Sequence, residues 1–591
     1  MARNRYDVDE VLETPFDFAH LKRSFVYIKK YKGKMITALV LSVFAAISGL
    51  LGPLITQYAL DNTIPQKNMG QLVLLTLAFV GTIAVSITFS TIRSRIMTVV
   101  GQDIIFDVRT DLFKHLQELP FEYYDNRPHG KILIRVVNYV NSVSDMLSNG
   151  IINVILECLN MLFIMIFMFF VNVKLSLVVL SGLPIFAVIM MMIKKRQRKA
   201  WQDVSNKSSN LNAYLQENIT GARVTQIFTR EEENAQIFDR LSEKYRKSWI
   251  NAVKYSNLVW PATDNVSTLV RAAIFVVGLL VLTPAAVSLG TIVAMTSYAS
   301  SFWQPIMNLS NIFNNFINNI AYLERIFETL DEPATIADKP NAQDIGDITG
   351  EVKFDDVTFS YEQGKTVLEH ISFDVKPGES VALVGPTGAG KSTVVSLLSR
   401  FYDLDSGKIT IDGKDISQAT LHSLRSQMGI MLQDSFIFSG TIYDNIRYGR
   451  LDATEEEIRE AAKIVCADEF INEMKDGYMT EVNERGSKLS GGQKQLISFA
   501  RTLLSDPKIL VLDEATSSID ARTEKLLQQG LQRLLVGRTS FIIAHRLSTI
   551  KNCDKIMYID NKGIAECGTH DQLIAKKGEY YKLYTAQHMD E

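Results

Sequence analysis

The sequence predicts a bundle of membrane-spanning α-helices fused to an α/β domain of the P-loop type. Two observations support this fold class. Six apolar runs of membrane length lie before residue 310, and the glycine-rich segment Gly385–Ser392 stands between an apolar strand-like run and an apolar helix-like run. A hydrocarbon core of ~30 Å needs about 20 apolar helical residues, which is the length that these runs reach. The 591-residue chain therefore divides into a membrane half and a P-loop half.

Basic residues predict how the spans are oriented. The predicted spans cover residues 36–58, 72–92, 152–171, 175–193, 266–282 and 291–306. Lys and Arg concentrate before the first span and after the second and fourth, whereas the short connections carry two lysines and no arginine. Cytoplasmic loops carry the excess of Lys and Arg. We therefore expect a multi-pass protein of the cytoplasmic membrane, with its N-terminus, both long connections and the C-terminal half in the cytoplasm.

Changes in composition set the predicted domain boundaries. Residues 1–35 form a cytoplasmic segment whose apolar and basic residues suit either a helix on the membrane surface or a soluble helix. Residues 36–330 form the transmembrane domain, 331–350 a linker without periodicity, and 351–591 the P-loop domain. The polar connections 93–150 and 194–265 have helical spacing, so we expect them to extend the membrane helices into water.

Composition excludes several classes of protein. The net charge of -3 gives no indication of nucleic-acid binding. The four cysteines lack the C-x-x-C spacing of zinc sites and are expected to be reduced thiols. The N-terminus is polar through Lys34, so no cleavable signal peptide is predicted.

The glycine-rich segment has the residues that phosphate binding requires. Gly385, Gly388 and Gly390 allow backbone conformations that turn successive N–H groups toward phosphate oxygens. Lys391 places a positive charge on the β and γ phosphates, and the Ser392 hydroxyl is suited to bind Mg²⁺. The segment therefore predicts binding of ATP with Mg²⁺.

Other apolar runs end in polar residues suited to the same chemistry. Asp513 is suited to the Mg²⁺ shell and Glu514 to polarising an attacking water. His545 ends another strand-like run and is expected at the γ phosphate. The segment Leu489–Gln493 opens a predicted helix, Lys494–Leu504, whose free N–H groups can bind phosphate. Tyr361 offers a ring for stacking on adenine.

In this order, these motifs resemble the nucleotide-binding domain of ATP-binding cassette (ABC) transporters across essentially the whole second half. The resemblance implies a Walker A loop, a Walker B aspartate, a catalytic glutamate, a Q-loop, a D-loop, a switch histidine and a signature segment. The implied catalytic residues are Glu514, His545 and Gln433, and the implied metal ligands are Ser392, Gln433 and Asp513. The implied nucleotide-binding residues are Tyr361, Gly385, Pro386, Thr387, Gly388, Ala389, Gly390, Lys391, Ser392, Thr393, Asp513, Leu489, Ser490, Gly491, Gly492, Gln493 and Asp520.

The first half resembles the bacterial multidrug-type exporters of the same family. Leu119–Gly130 is similar to their first intracellular loop, and Asn218–Val224 with Phe228 is similar to their second. In that family both loops carry short coupling helices that dock on ATPase domains, the second on the partner chain's domain. The resemblance implies a half-transporter with the type IV exporter fold, working as a domain-swapped dimer of twelve spans. Intact motifs favour a homodimer, whereas Gln495–Arg501 is similar to heterodimeric exporters, and both remain open.

The expected function is ATP-driven export of amphipathic or hydrophobic small molecules by alternating access, powered by ATP-induced association of the ATPase domains and by hydrolysis. A lipid flippase or a peptide exporter of the same fold is the alternative. A non-transporting sensor is disfavoured because Glu514 and Leu489–Gln493 are intact.

Charged and amide side chains within the spans raise a separate question. Glu157 and Arg271 are costly in lipid, and either a mutual salt bridge or contact with substrate would explain them. Four asparagines on one face near the sixth span suit the lining of a path or hydrogen bonds between helices. They are Asn308, Asn311, Asn315 and Asn318.

Overall fold

The computed structural model describes residues 18–125, 127, 129–281, 287–362, 364–431, 435–483, 486–513, 521–543 and 550–588. It contains two compact units. The first comprises Met1–Gln117 and Pro128–Glu332, and the second comprises Glu118–Arg127 and Pro333–Glu591. The short segment Glu118–Arg127 therefore belongs to the second unit although the membrane half of the sequence surrounds it.

The first unit is built from α-helices joined by short turns. Its helices are α1 Phe18–Lys30, α2 Lys32–Tyr58, α3 Met69–Glu118, α5 His129–Ile134, α6 Val140–Asp145, α7 Ile151–Val171, α8 Val173–Thr220, α9 Ala222–Ile227, α10 Glu231–Asn257, α11 Val259–Val276 and α12 Leu289–Leu330, whereas α4 Phe121–Asp125 lies in the second unit. Turns of π-helix occur at Ala59–Thr63, Arg135–Tyr139, Met146–Gly150 and Val277–Val281.

Five helical stretches of the described chain are long and apolar enough to cross a membrane. They are Lys32–Thr63, Met69–Glu118, Ile132–Val171, Val173–Thr220 and Glu231–Leu280. The sixth predicted span lies within α12, which falls short of that composition because serines, threonines and a glutamine interrupt its apolar run. α12 nevertheless packs against α2, α7 and α11, and its Tyr298 is fully buried and donates to the Leu50 carbonyl at 2.6 Å.

Two of these helices are far longer than a membrane is thick. α3 has 50 residues and α8 has 48, so each measures about 70 to 75 Å at a rise of 1.5 Å per residue. Only about 30 Å of that length fits in the hydrocarbon core. The remaining turns of both helices therefore extend into water.

Polar contacts hold α1 and the start of α2 on α3. Asp103, Asp107 and Asp111 recur every four residues and so share one face of α3. Asp107 binds the Lys30 ammonium at 2.8 Å, and Asp103 binds the Lys34 ammonium at 2.9 Å. The N-terminal helix thus packs on protein along its polar face.

The two charged side chains of the predicted spans do not pair with each other in the described chain. Glu157 on α7 accepts a hydrogen bond from the Asn308 amide of α12 at 2.7 Å, and Asn308 accepts one from Gln304 at 3.1 Å. Arg271 on α11 donates to the Thr268 hydroxyl at 2.8 Å. The predicted intrachain salt bridge is therefore wrong for this structure, because an amide of α12 takes the position of the cation.

The described residues of the second unit form three β-sheets. The strands are β1 Val352–Glu362, β2 Lys365–Val375, β3 Ser380–Val384, β4 Ser406–Ile411, β5 Lys414–Asp415, β6 Met428–Met431, β7 Gly440–Thr441, β8 Glu481–Val482, β9 Ile509–Asp513, β10 Thr539–Ile543, β11 Lys555–Asp560 and β12 Gly563–Gly568. A six-stranded sheet has the order β12-β11-β3-β10-β9-β6, a four-stranded sheet the order β2-β1-β4-β5, and β7 pairs with β8. The helices are α13 Lys391–Leu398, α14 Leu421–Arg425, α15 Ile442–Arg447, α16 Glu455–Ile464, α17 Asp468–Glu473, α18 Gly491–Leu504, α19 Ala521–Leu535, α20 His570–Lys576 and α21 Glu579–His588.

The strands β3, β10, β9 and β6 run parallel, and their carboxyl ends lie at one edge of the sheet. Their apolar runs are buried on both faces, as is typical of a central parallel sheet. Ile543 pairs with Leu383 on one side and with Asp513 on the other. In an open α/β sheet, ligands bind at this edge.

The N-terminus of α12 is held by a residue from the end of the first membrane helix. The Asp61 carboxylate accepts hydrogen bonds from the Gly290 N–H at 2.8 Å and from the Ser288 hydroxyl at 2.5 Å. Ser288 also caps α12 by accepting from the Thr291 N–H. A carboxylate at this position satisfies free N–H groups and complements the helix dipole.

We expect Asp61→Ala to lower the free energy of unfolding by about 1 kcal/mol, because the cap of α12 loses its acceptor. Gly290→Ala is expected to act in the same direction, since a Cβ there would lie 2.6 Å from the Asp61 carboxylate. Thermal unfolding of the purified protein in detergent measures both effects. Gly81→Ala in α3 is the control, because a Cβ there meets nothing within 4 Å. Equal stability of all three variants would contradict the role of Asp61.

Candidate nucleotide-binding site

The predicted P-loop connects the central strand β3 to α13. Gly385, Gly388 and Gly390 have positive φ angles of 142°, 83° and 100°. A Cβ on Gly385 would overlap the Ile559 carbonyl oxygen, and one on Gly390 would lie 2.6 Å from the Leu368 side chain. These two positions accept only glycine, so the loop has the tight curvature that a phosphate cradle requires.

Lys391 lies at the centre of this loop. Its side chain is 8% exposed, and its ammonium donates to the carbonyls of Gly385 and Pro386, both at 2.9 Å. Burial lowers the pKa of the Lys391 ammonium, and the Asp513 carboxylate opposes part of that shift. Phosphate oxygens are stronger acceptors for a buried ammonium than neutral carbonyls are. The loop therefore holds a poorly solvated cation where a phosphate would be bound.

The predicted adenine-stacking residue, Tyr361, lies beside this loop. Its ring is 44% exposed, and its hydroxyl is 3.1 Å from the Thr393 hydroxyl on α13. Tyr361 also packs edge-on against Tyr402, with ring centroids 5.1 Å apart. An exposed aromatic face next to a phosphate cradle suits stacking of a purine.

Tyr402 connects this tyrosine to the short helix α4. The Tyr402 hydroxyl donates to the Asp125 carboxylate at 2.9 Å, and Phe401 packs against Phe121 with centroids 4.3 Å apart. Burial, together with the bond to Asp125, raises the pKa of the Tyr402 phenol. The resemblance of Leu119–Gly130 to a first intracellular loop implies that this segment docks on an ATPase domain. Its contacts with Phe401 and Tyr402, which lie shortly after the P-loop helix, were not predicted.

The helix that follows the signature segment begins earlier than predicted. α18 starts at Gly491 instead of Lys494, because Ser490 and Gln493 form a capping box. Leu489 and Gly492 are buried, whereas Ser490 and Gly491 are exposed, and a Cβ on Gly491 would meet nothing within 4 Å. The start of α18 is thus accessible to a ligand.

The remaining predicted residues are placed only in part. Asp513 ends β9, and β10 lies between β9 and β3, the strand that leads into the P-loop. Ser392 and Thr393 lie in the first turn of α13. Gln433, Glu514, Asp520 and His545 lie outside the described residues. The structure therefore brings together the P-loop, Tyr361 and Asp513, and the roles of the other four stay predictions.

We expect Tyr402→Phe to keep ATP affinity unchanged, because the ring against Tyr361 remains, and to lose the bond to Asp125 on α4. That loss costs about 1 kcal/mol. Asp125→Asn is the matching change on the other side. ATP affinity and substrate-stimulated ATPase activity in liposomes measure the two effects separately. A Tyr402→Phe variant with weaker ATP binding and normal stimulation would contradict this division.

Models of two protein families match the chain. The ABC transporter transmembrane region matches residues 35–306, and the ABC transporter model matches residues 368–517. The structure is similar to that of a bacterial Atm1-family ABC exporter with ATP bound, with a TM-score of 0.79 and 28% identity, covering 94% of this chain and 98% of the other.

Curated bacterial relatives align over most of their length. An uncharacterized ABC transporter ATP-binding protein of Bacillus subtilis, YknV, is 41% identical over all of this chain and 98% of its own. The putative multidrug export ATP-binding/permease protein YgaD of the same organism is 35% identical over 96% of this chain and 100% of its own. A fatty acid ABC transporter ATP-binding/permease protein of Mycobacterium bovis is 37% identical over 84% of this chain and 78% of its own.

These matches include both units, and they agree with the glycine cradle at Gly385–Lys391 and with the membrane-length helices. The chain binds ATP and couples its hydrolysis to transport. It is a membrane-spanning half-transporter of the ATP-binding cassette family, of the bacterial exporter type.

Proposed function

We propose that this half-transporter exports amphipathic or hydrophobic small molecules across the cytoplasmic membrane by alternating access. The observation that carries the proposal is the combination, in one chain, of a glycine cradle around the buried Lys391 with membrane-length helices. The glycine cradle binds ATP, whose hydrolysis provides the energy for transport. The membrane-length helices form the path of the cargo across the membrane. The resemblance to the putative multidrug exporter YgaD supports this type of cargo.

In this proposal the site residues have separate roles in binding and hydrolysing ATP. Tyr361 stacks on adenine, the P-loop N–H groups and Lys391 hold the phosphates, and Glu514 is the general base. Gln433 and His545 contact the attacking water and the γ phosphate. The loop suits a nucleotide because Gly385, Gly388 and Gly390, at positive φ, let the backbone curve so that its N–H groups can face phosphate oxygens. Ser392, Gln433 and Asp513 would hold Mg²⁺, which neutralises phosphate charge.

The working unit is proposed to be a dimer. Ser490 and Gly491 at the start of α18 would contact the partner's ATP, together with Asp520.

Two exposed apolar patches also support a dimer. Ile227 and Phe228 at the end of α9 are 76% and 68% exposed, and Phe436, Phe438 and Tyr448 form an exposed aromatic cluster. Docking of α9 on the partner's cluster would remove both patches from water. A homodimer and a heterodimer both fit.

A lipid-type cargo is the second candidate. The relative from Mycobacterium bovis is named as a fatty acid transporter and aligns over most of this chain. The same fold serves drugs and lipids, so the fold alone does not separate them. Measuring whether drugs or lipids stimulate the ATPase activity in defined liposomes would distinguish the two types of cargo.

We expect Lys391→Ala to weaken ATP binding at least about tenfold, because phosphates lose a buried, charge-assisted donor. Equilibrium binding of a fluorescent ATP analogue to the purified protein measures this. Lys408→Ala is the control, since Lys408 is an exposed lysine on β4 of the same unit. Undiminished affinity in the Lys391 variant would remove the phosphate role from this residue.

We expect Glu514→Gln to leave ATP binding intact and to lower turnover about 100-fold or more, because the general base is lost. The chain is expressed alone, reconstituted in liposomes, and assayed with and without cationic amphiphiles. Stimulated activity that Glu514→Gln abolishes supports a self-sufficient homodimeric pump. If the well-folded wild type has no ATPase activity, a partner chain is missing. Normal ATP turnover by Glu514→Gln would contradict the role of Glu514.

A further inference from the structure

The exposed face of α12 differs from that of the membrane helix α3. α3 exposes mainly apolar side chains over its membrane part, such as Leu74, Leu77 and Val80. Between Thr291 and Ile312, by contrast, every exposed residue of α12 is polar. Their spacing of three or four residues places them along one side of the helix. We call them the polar face of α12: Ser297, Ser300, Ser301, Gln304 and Asn311.

The polar face of α12 is not suited to contact with lipid. Its three serine hydroxyls donate to carbonyls of their own helix, but the amides of Gln304 and Asn311 do not. Amide groups without partners are costly in hydrocarbon, so polar side chains of membrane helices face the interior of a bundle or a water-filled path. The polar face therefore borders either the path of the cargo or a second chain.

Glu157 of α7 adds a negative charge to this face. Its carboxylate accepts a hydrogen bond from the Asn308 amide at 2.7 Å, and the Asn308 side-chain oxygen accepts one from Gln304 at 3.1 Å. Asn308 lies four residues after Gln304 and three before Asn311, so it belongs to the same side of α12. Both amide donors point toward the carboxylate, and their dipoles therefore complement a negative charge.

The Glu157 carboxylate lies at membrane depth. Glu157 is fourteen residues from the outer end of α7 at Val171, or about 21 Å at a rise of 1.5 Å per residue. Gln304 is fifteen residues from the outer end of α12 at Leu289, or about 22 Å. In a hydrocarbon core of ~30 Å, both residues fall in the cytoplasmic half. A charge at this depth attracts an opposite charge strongly, because little water screens it.

No cation of the described chain neutralises this carboxylate. Among the residues that the structure describes, Asn308 is the one side-chain partner of Glu157, and the second carboxylate oxygen accepts no hydrogen bond. Glu157 is half-buried, and this second oxygen is not enclosed by protein. Arg271, the basic residue of the fifth span, donates to Thr268 of its own helix. The second oxygen is thus open to a cationic ligand.

We propose that Glu157 binds a cationic group of the cargo, so that the transporter selects positively charged amphiphiles over neutral and anionic ones of the same shape. Asn308 and Gln304 position the carboxylate, and the polar face of α12 lines the path by which the cargo reaches it. A cation satisfies the open oxygen and offsets the cost of a charge at this depth. This inference rests on the proposed export function and specifies the charge of its cargo.

The test compares three compounds of one shape: tetraphenylphosphonium, tetraphenylsilane and tetraphenylborate, which are cationic, neutral and anionic. ATPase activity of the full-length protein in phosphatidylcholine liposomes is titrated with each compound. Comparing each compound between protein variants cancels its partition into the lipid. In Glu157→Gln, we expect the half-maximal concentration of tetraphenylphosphonium to rise at least about tenfold, with no rise for the other two. Equal shifts for all three compounds, or no shift, would overturn the proposal.

The matched control removes a carboxylate from the long cytoplasmic connection. Asp239 is exposed on α10, and Asp239→Asn makes the same change in net charge as Glu157→Gln. We expect Asp239→Asn to respond to tetraphenylphosphonium as the wild type does. Equal losses in both variants would show that overall charge, and not this site, attracts the cation. Glu157→Asp is expected to keep more of the response than Glu157→Gln, and the reverse order would contradict a role for the charge.

A binding assay separates this proposal from the export function. Radiolabelled tetraphenylphosphonium is equilibrated with the purified protein without ATP, and Glu157→Gln is expected to bind it at least about tenfold more weakly. Such a loss, in a chain that no amphiphile stimulates, would uphold the site and reject the export proposal. Unchanged binding together with weaker association of two chains would reject the site, because Glu157 would then pair with a cation of the partner chain.

Discussion

Polar groups in the hydrocarbon core must find partners within the protein, because lipid offers none and each unsatisfied group costs several kcal/mol. This constraint explains why the first unit is helical and how its polar side chains are arranged. Glu157 accepts a hydrogen bond from the Asn308 amide, and the Tyr298 hydroxyl donates to the Leu50 carbonyl. Each of these bonds joins two helices. The same bonds that satisfy polar atoms therefore determine which membrane helices pack together.

In the second unit, the shape of the backbone forms the candidate nucleotide-binding site. The glycine cradle exists because Gly385 passes the Ile559 carbonyl of the neighbouring strand more closely than any side chain permits. Lys391 is buried in that cradle, and Tyr361 lies beside it with Tyr402 and Asp125 behind. A single side chain, Tyr402, therefore connects Tyr361 to Asp125 on α4.

The fold and the P-loop could be predicted because both are local properties of the sequence. Apolar run length predicts a membrane helix, and glycine spacing around Gly385–Lys391 predicts a cradle. The resemblance of Leu119–Gly130 to a first intracellular loop implies docking on an ATPase domain. The bond between Asp125 and Tyr402 could not be predicted, since 277 residues separate the two and Tyr402 belongs to no motif. A salt bridge of Glu157 with Arg271 and a contact with substrate were the two explanations that the sequence offered. The packing of α7 on α12 brings the Asn308 amide, and not Arg271, to Glu157, and helix packing of this kind is not a local property of the sequence. α18 began early because a capping box at Ser490 extended it.

The membership of Glu118–Arg127 in the second unit bears on how this protein can be dissected. A recombinant fragment that starts at Pro333 contains the ATPase machinery but lacks α4. Phe401 and Tyr402 would then lose Phe121 and Asp125, and aromatic surface would face solvent. In such a fragment this aromatic surface, which α4 buries in the full chain, is exposed to solvent. Aggregation of the fragment would then result from the loss of α4 and not from a defective ATPase fold. We expect a peptide of residues 118–127, added to the fragment, to bury the aromatic surface again.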